Sequence, residues 1–388
     1  MFDCTAVRRS GRPLVAIPSS RRTNRDRAGH TAMRTLLVVV MLLAGSAVQA
    51  ADPLVPTWRV VADGVHVGIR EPSTRLPVAG NTTLVVGDAG VIVFDGGALP
   101  LWSERVVEKV RSLTDRPVTH IVVSHWHQDH SWGISELLKA FPGAEVIAHR
   151  NTRDTLAVRA EADEAGVRDL ASQMRASLTE LLTQESAADR RQRVQQALID
   201  VPLLDREWKR LTTTVPTRVF DQKLVLAQGA RRIELLHLGL GNTDGDIVMW
   251  LPAERIVATG DLVVRPTPYG FGSYPTAWAD TLRALKALGP ALIVPGHGDL
   301  QRDTAYVDLL IETLQLVALQ MAPLVAQGLA QDEAAAKLDF SSVEPRFTGG
   351  DAQLTTLFDI WFKQPIAQAA WKVARGESPA LPLTQDGA

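Results

Sequence analysis

The chain has 388 residues, 46% of them hydrophobic and 22% charged, which is ordinary for a globular protein of one or two domains with a large core. Residues 1–50 carry eight arginines and two aspartates, so the rest of the chain carries 33 basic and 41 acidic side chains, a net charge of −8. Such an acidic body lacks the basic surface of a nucleic-acid-binding protein, and we exclude that class of partner.

The segment MRTLLVVVMLLAGSAVQAADP, which begins at Met33, has the pattern of a secretory signal. One arginine precedes about ten apolar residues, and small residues follow them, which places the predicted cleavage after Ala50. The apolar run is too short for a membrane span. We therefore predict a periplasmic or secreted protein with no stable membrane span after signal removal. A buried N-terminal helix is the alternative interpretation.

Residues 1–32 are rich in arginine and have no apolar period, so either Met1 or Met33 is the true start. The only cysteine, Cys4, lies ahead of the predicted cleavage point. The mature protein is therefore expected to have neither a disulfide nor a thiolate metal ligand.

Strand and helix patterns alternate through the next part of the chain, which indicates an α/β arrangement in layers. Strand patterns lie at 58–70, with a turn at Asp63-Gly64, at 81–97 as a hairpin, at 117–125 and at 144–148. Helical patterns lie at 101–113 and 134–141.

Residues 151–211 differ from the rest because they are charged and place Leu170, Met174 and Leu178 at helical spacing. We predict an insertion of two or three helices, with an interaction arm as the alternative. Strand-like runs then resume, followed by helical patterns at 277–288, 304–328 and 352–376. The predicted organisation is an extension and signal over 1–50, then one domain over 51–388 with the insertion at 151–211 and C-terminal helices within 304–376.

The stretch SHWHQDH, residues 124–130, directly follows an apolar strand pattern. His125 and His127 alternate on an extended loop, so both side chains point the same way and can bind one ion. Asp129 and His130 follow after the chain turns and can bind a second ion nearby. Imidazole and carboxylate together suit zinc and similar metals. A polar surface loop is the alternative interpretation.

The HxHxDH pattern resembles the signature of the metallo-β-lactamase superfamily. Three more motifs follow the order of that family between about residues 58 and 300: VIVFDGG with Asp95, ATGDLVV with Asp261, and VPGHGDL with His297. The resemblance implies an α/β fold of the αββα sandwich type, in which two mixed sheets lie face to face with helices outside and metals at one edge.

The resemblance also implies a role for each motif residue. The first metal would be bound by His125 and His127, the second by Asp129, His130 and His297, and Asp261 would lie between or beside the two. Asp95 would orient a ligand histidine from behind. The alternatives are a turn residue for Asp95, a cap residue for Asp261 and a loop histidine for His297.

One position departs from the family pattern. Most members have a Gly-His-Thr motif that supplies a third ligand to the first metal, but GLGNTDGD places Asn242 there. An amide oxygen is neutral and a weaker donor than imidazole, so the first site should be weakened. Asn242 as a ligand, a water in its place, and filling of the second site alone are the open alternatives. His237 is a candidate substitute, although it also suits a strand.

These roles imply a zinc-dependent hydrolase with two zinc ions per chain, whose metal-bound hydroxide cleaves an amide, ester or lactone of a small molecule. β-Lactams are one candidate substrate, and Asp129 would hold the hydroxide and move its proton. The alternatives are a hydrolase of thioesters, phosphodiesters or sulfate esters, a one-iron oxygenase, and a metal-binding protein without catalysis.

The aromatic stretch RPTPYGFGSYPTAW, residues 265–278, closely follows Asp261. We predict that Tyr269, Phe271 and Tyr274 form a wall for the substrate, and a structural loop with inward-packed aromatics is the alternative. Neither the substrate nor the oligomeric state follows from the sequence.

Overall fold

The structure is a computed structural model that describes residues 55–70 and 79–380. The predicted signal, Cys4 and both candidate starts lie outside the described residues.

Two β-sheets form the centre of the fold. The first has seven strands in chain order, β1 (Thr57–Ala62), β2 (Val65–Ile69), β3 (Thr82–Gly87), β4 (Gly90–Phe94), β5 (Val118–Val122), β6 (Glu145–His149) and β7 (Arg218–Phe220). The second has the order β12-β11-β10-β9-β8, with β8 (Lys223–Gln228), β9 (Arg231–Leu236), β10 (Val248–Leu251), β11 (Ile256–Ala258) and β12 (Leu292–Val294). Both sheets are mixed, because β4 to β7 are parallel in the first and β11 and β12 are parallel in the second.

Helices cover the outer faces of both sheets. Before β7 the chain forms α1 (Pro100–Leu113), α2 (Gln128–Ser131), α3 (Ile134–Ala140), α4 (Arg150–Arg168), α5 (Leu170–Gln184) and α6 (Ala188–Trp208). After β11 it forms a 3-10 turn (Gly260–Leu262), then α7 (Pro275–Ala287), α8 (Ala305–Ala326), α9 (Gln331–Ala335), α10 (Glu344–Thr348), α11 (Ala352–Phe358), a π turn (Asp359–Lys363) and α12 (Gln364–Ala374).

Strand β4 shows how the sequence builds these layers. All five of its residues are buried, and successive side chains point to opposite faces of the sheet. Val91 and Val93 pack outwards in the same apolar cluster as Trp102 of α1. Ile92 and Phe94 pack inwards, against residues of the second sheet. A third cluster joins the outer face of the second sheet to α7 and α8. The predicted αββα sandwich is confirmed.

The segment 151–211 forms the three helices α4 to α6, which pack onto the helical layer of the first sheet. Met174 of α5 and Val194 of α6 are buried in the same apolar cluster as α1. Glu207, at the end of α6, accepts a hydrogen bond of 2.9 Å from the backbone N–H of Leu101. Because the first N–H groups of a helix have no partner within it, this carboxylate stabilises the start of α1.

Helix α8 is long and apolar enough to cross a membrane, and it is the one such helix in the part of the chain that the structure describes. Its residues Leu310, Leu314 and Val317 are fully buried in the cluster on the second sheet. A core helix explains its composition.

His149 precedes α4 and connects that helix to the second half of the chain. Its Nδ1 accepts from the backbone N–H of Asn151 at 3.2 Å, and its Nε2 lies 3.0 Å from the carbonyl of Asp221. Its ring stacks on the ring of His237, with 4.2 Å between centroids. The buried imidazole is therefore held neutral, as a helix cap on one side and a donor on the other.

Replacing His149 by asparagine should make the free energy of unfolding less dependent on pH. Burial first, and then the imidazole of His237, lower the pKa of His149 from 6.5. The unfolded chain therefore takes up a proton below pH 6.5 that the folded chain resists, so stability falls as the pH falls through that value. Asparagine keeps a cap acceptor but does not titrate. Urea unfolding of the wild type and the asparagine variant at about pH 7.5 and about pH 5.5 measures the free energy of unfolding at each pH. If both proteins lose the same stability between the two pH values, His149 is not the titrating group.

Candidate metal centre

Loops from two pairs of parallel strands, one pair in each sheet, meet at one edge of the sandwich. Asp95 directly follows β4, and the stretch 124–130 follows its neighbour β5. Asp261 follows β11, and His297 follows the adjacent β12. The carboxyl ends of parallel strands are the usual position of ligand sites in α/β sheets. The fold thus gathers residues that are up to about 200 positions apart in the sequence.

Asp95 anchors the 124–130 loop from behind. Its Oδ1 accepts a 2.7 Å hydrogen bond from the N–H of Ser124, and its Oδ2 lies 2.8 Å from Nδ1 of His130. Because a carboxylate accepts the Nδ1 proton, the neutral form of His130 would present the lone pair of Nε2 to a metal at the centre. Asp95 has a φ of 65°, a left-handed conformation that few residues other than glycine adopt.

Gly80 and Asn81 support the site from the start of β3. A Cβ on Gly80 would overlap the imidazole of His130, so a side chain there would displace the ring. The Nδ2 of Asn81 donates to the carbonyls of Pro295 and Gly298, each at 2.9 Å, and so holds the loop that carries His297. No motif marked either residue in the sequence, because their roles depend on partners that are remote along the chain.

The second predicted set of ligands converges on one point. The Nε2 of His297 lies 2.9 Å from Oδ2 of Asp129 and 3.2 Å from Nε2 of His130. Oδ1 of Asp261 lies 3.0 Å from Nε2 of His130 and 3.5 Å from Nε2 of His297. One atom of each residue lies within 4.8 Å of the others, which is compact enough to hold an ion.

The first predicted set shares Asp261 with the second. Nε2 of His125 lies 3.0 Å from Nδ1 of His127 and 3.7 Å from Oδ2 of Asp261. The other nitrogen of His125 lies 2.9 Å from Oγ of Ser124, a contact that fixes the ring. Asp261 therefore offers one carboxylate oxygen to each set.

The donor set fits a metal. Imidazole nitrogens and carboxylate oxygens face one another here, and several of these side chains are fully buried. Facing lone pairs repel each other unless a proton or a cation lies between them, and burial makes that repulsion stronger. A divalent ion in each set would satisfy these atoms together, as nitrogen and oxygen ligands do at zinc sites.

For His125, His127 and Asp261 the pKa shifts agree with the protonation states that ligands need. His130 differs, because burial lowers its pKa but the carboxylates of Asp261, Asp129 and Asp95 raise it well above 6.5, so this ring must release a proton when it binds a metal. Burial lowers the pKa of His127 to about 4 and the pKa of His125 well below 6.5, so both rings are neutral at neutral pH. Burial opposes ionisation of Asp261, but the charges of His130 and His297 outweigh it and lower its pKa to about 2. Neutral imidazoles and an ionised carboxylate are the forms that bind metal.

Asn242 is fully buried, and its amide is only half satisfied. Nδ2 donates to the carbonyl of Tyr269 at 2.9 Å, whereas Oδ1 is buried and has no hydrogen-bond partner among the described residues. The orphan oxygen is therefore available as a neutral acceptor or ligand. His237 is not gathered into either set, because its Nδ1 lies 2.9 Å from the carbonyl of Asp246 and its ring stacks on His149.

Of the three aromatic residues predicted to form a substrate wall, Tyr269 lies beside the second set. The Tyr269 ring is 5.1 Å from the ring of His297, and Phe271 is 6.5 Å from Tyr269. Tyr274 lines a cavity together with Asn242. No sequence pattern indicated Trp361, a residue of the C-terminal helical region whose ring packs edge-on against Tyr269, with 4.9 Å between the centroids. An aromatic residue within an amphipathic segment looks like an ordinary core residue.

Helix α4 of the insertion braces two of the site loops. The guanidinium of Arg159 lies 4.7 Å from the ring centroid of Trp126 in the 124–130 loop and pairs with Asp163 at 3.2 Å. Oγ1 of Thr152 donates to the carbonyl of Gly245, in the loop that carries Asn242, at 2.9 Å. The insertion thus fixes the surroundings of the first set.

Comparison with known families identifies the chain. The sequence model of the Metallo-beta-lactamase superfamily matches residues 75–297, more than half of the chain. The chain belongs to the metallo-beta-lactamase superfamily. The resemblance drawn from the HxHxDH stretch and the three other motifs is therefore confirmed.

Two relatives and one solved structure are similar to this chain. A linear primary-alkylsulfatase from Pseudomonas sp. (strain ATCC 19151) is 26% identical over 55% of this chain, but the match spans only 40% of the alkylsulfatase. A metallo-beta-lactamase type 2 from Bacteroides fragilis is 22% identical, and the match covers 68% of this chain and 87% of that protein. A solved metallo-beta-lactamase from Pontibacter korlensis is 17% identical, with a TM-score of 0.47 over 67% of this chain and 99% of its own.

Proposed function

We propose that this superfamily member is an exported hydrolase that holds two zinc ions and cleaves an amide, ester or lactone of a small-molecule substrate. The observation that carries the proposal is the convergence of two donor sets that share Asp261. The signal pattern that begins at Met33 supports export.

When bound, the metals would act as Lewis acids and lower the pKa of a bound water. Asp129 is the donor of the second set that substrate and solvent reach, because its side chain is 25% exposed whereas the side chain of His130 is fully buried. Burial opposes its ionisation, but the charge of His130 and the hydrogen bond with His297 hold the pKa of Asp129 below its usual range. The ionised carboxylate can therefore hold the attacking water as a hydrogen-bond acceptor.

The other side chains orient a ligand histidine or shield one side of the site. The carboxylate of Asp95 keeps His130 in one tautomer and one orientation. Tyr269 and Trp361 shield the side of the site next to His297, so the substrate group that lies there should be apolar.

β-Lactams are one candidate substrate, because the match to the Bacteroides fragilis metallo-beta-lactamase covers most of that protein. Sulfate esters are the second candidate, because the relative with the higher identity is named as an alkylsulfatase. In this protein either reaction would use the same two donor sets, so we expect the walls of the site to decide between the two substrates.

Metal analysis combined with a substrate panel tests the proposal. The purified protein, loaded with zinc, would be assayed with a chromogenic β-lactam, a lactone, an aryl ester, a phosphodiester and an alkyl sulfate. Two zinc ions per chain with cleavage of the β-lactam, lactone or aryl ester supports the proposal, and cleavage of the alkyl sulfate alone favours the second candidate. One iron per chain with oxygen consumption favours the oxygenase. A protein that binds no metal contradicts all of these activities.

Replacing Asn242 by histidine should tighten zinc binding at the first site by about tenfold, because imidazole is a stronger donor to zinc than an amide oxygen. Competition with a chromogenic chelator measures the affinity of each site. Asn242→Ala is the matched loss variant and should weaken the same site. An unchanged affinity in the histidine variant would mean that position 242 does not face the metal.

A further inference from the structure

One face of helix α4 is turned towards the loops that carry the predicted ligands of the first set. Thr152, Thr155, Arg159 and Asp163 follow one another at intervals of three and four residues, so their side chains lie on the same side of the helix. The three residues other than Arg159 are at most 5% exposed, and the side chain of Arg159 is 12% exposed. Thr152 and Arg159 are about two turns, or about 10 Å, apart along the axis. This buried face is therefore long enough to contact two loops at once.

The start of α4 holds the loop that carries Asn242. Nδ2 of Asn151 donates to the carbonyl of Asp244, and Oγ1 of Thr152 donates to the carbonyl of Gly245, each at 2.9 Å. Both bonds join a side chain of the helix to the backbone of the loop. They fix the position of that loop relative to α4.

Two turns further along, Arg159 holds the 124–130 loop through Trp126. Its guanidinium carbon lies over the indole ring, 4.7 Å from the centroid, a distance at which a cation is attracted to the face of the ring. Nη2 of Arg159 donates to Oδ1 of Asp163 at 3.2 Å. Because the Asp163 side chain is 4% exposed, this carboxylate fixes the guanidinium over the ring and balances its charge.

The Trp126 ring packs edge-on against His127, with 4.4 Å between the centroids. His130 is oriented by the carboxylate of Asp95, which lies 2.8 Å from the ring nitrogen that faces away from the centre. Among the described residues, the ring of His127 has no hydrogen-bond partner outside the two donor sets. Its orientation therefore depends on packing, and the indole is the ring that packs against it from outside those sets.

We propose that Arg159 is a positioning residue for the first metal, because it holds the Trp126 ring against His127. The inference rests on the two-metal site of the proposed function and gives the helical insertion a role in it. Helix α4 sets the separation between the two loops that carry the ligands of the first site. A site that is already arranged loses less entropy on binding, so a weak ligand such as Asn242 can still complete it.

The charge of Arg159 gives the test a sign. A guanidinium near the first set repels a cation, so charge alone predicts that its removal tightens zinc binding there. Positioning predicts the reverse, because a ligand ring that is free to turn must be ordered when the metal binds. The direction of the change in zinc affinity therefore separates the two effects.

The test uses the full-length protein and measures both zinc affinities by competition with a chromogenic chelator. We expect Arg159→Met to weaken the first site by about tenfold, the lower end of the effect of losing a residue that supports a ligand, and to leave the second site unchanged. Arg159→Lys keeps a cation over the indole and should recover part of the affinity. Arg153→Met is the matched control, because it removes the same charge from α4 at a residue that pairs with Asp154.

Two further measurements show whether the effect passes through Trp126. In a Trp126→Leu background, Arg159→Met should cause no further loss of zinc affinity, because the ring on which Arg159 acts is absent. With cobalt(II) in place of zinc, the visible absorption bands that His127→Ala abolishes belong to the first site. Arg159→Met should shift those bands, which report ligand geometry, and leave the other bands unchanged. A loss of overall stability alone would not shift them.

The outcomes separate this inference from the proposed function. Selective weakening of the first site that disappears in the Trp126→Leu background supports the inference, even if no ester is cleaved and the hydrolase proposal fails. Unchanged or tighter zinc binding at the first site of Arg159→Met overturns it, even if the protein hydrolyses esters. An equal loss in Arg153→Met, an equal loss at both sites, an undiminished loss in the Trp126→Leu background, or a wild-type protein whose first site stays empty overturns it as well.

Discussion

Replacing Asp261 by alanine should strip zinc from both predicted sites and reduce kcat/KM by about a thousandfold or more. Its two carboxylate oxygens face different sets, with Oδ1 3.0 Å from Nε2 of His130 and Oδ2 3.7 Å from Nε2 of His125. Because the side chain is 1% exposed and lies between the two sets, its loss removes a charged ligand atom from each of them. The metals supply several kcal/mol of charge stabilisation, and each 1.4 kcal/mol is about tenfold in rate. Metal content after dialysis and kcat/KM measure the two losses.

Asp246 offers a matched control for that experiment. It is also 1% exposed, but burial raises its pKa well above the usual range, which favours the neutral carboxylic acid. Its Oδ2 accepts from the N–H of Thr243 at 2.7 Å, a bond that an asparagine oxygen can keep. Asp246→Asn should therefore retain zinc and activity, whereas Asp261→Asn should lose both. If Asp261→Ala keeps two zinc ions per chain, the shared-ligand assignment is wrong.

Local patterns in the sequence were sufficient for the strands and helices, whereas the αββα sandwich was implied by the family resemblance. Apolar runs that end in glycine or in a polar motif mark strands such as β4 and β5, and their side chains pack on both faces as the pattern requires. The helical spacing of Met174 and Leu178 likewise indicated the helices of the insertion before their packing partners were known. The spacing of apolar residues depends only on neighbours along the chain, so it indicates strands and helices before the tertiary structure is known.

The parts that could not be predicted depend on contacts between distant segments. Gly80 matters because His130, fifty residues later, occupies the space of its absent side chain. Trp361 reaches Tyr269 only because the C-terminal helices pack on the second sheet. The cavity beside Asn242 is formed by several separate segments, and none of them carries a motif for it. Sequence spacing cannot reveal such a juxtaposition.

Asp95 shows that two interpretations of one residue can both describe it. The sequence left open whether it is a turn residue or the partner of a ligand histidine. The structure shows a left-handed turn at Asp95, with a φ of 65°, and a carboxylate 2.8 Å from Nδ1 of His130. The left-handed backbone at Asp95 directs its carboxylate towards both Ser124 and His130, so the strained conformation positions the side chain for these two contacts.

Replacing Asp95 by alanine should weaken zinc binding at the second site by about 10- to 100-fold, the usual effect of losing a residue that orients a ligand. The variant leaves the N–H of Ser124 and the buried Nδ1 of His130 without their acceptor, each at a cost of about 1–3 kcal/mol. Chelator competition measures the zinc affinity, and urea unfolding of the metal-free protein measures stability.

The glycine variant separates the carboxylate from the backbone. Glycine adopts a positive φ freely, so Asp95→Gly should be about 1 kcal/mol more stable than Asp95→Ala. It has no acceptor for His130, however, and should bind zinc as weakly as the alanine variant. Recovery of zinc affinity in Asp95→Gly would show that the turn, and not the hydrogen bond to His130, holds the site together. If both variants bind zinc equally weakly, the carboxylate orients the His130 ring. If the glycine variant is also the more stable of the two, the positive φ at position 95 is the source of the backbone strain.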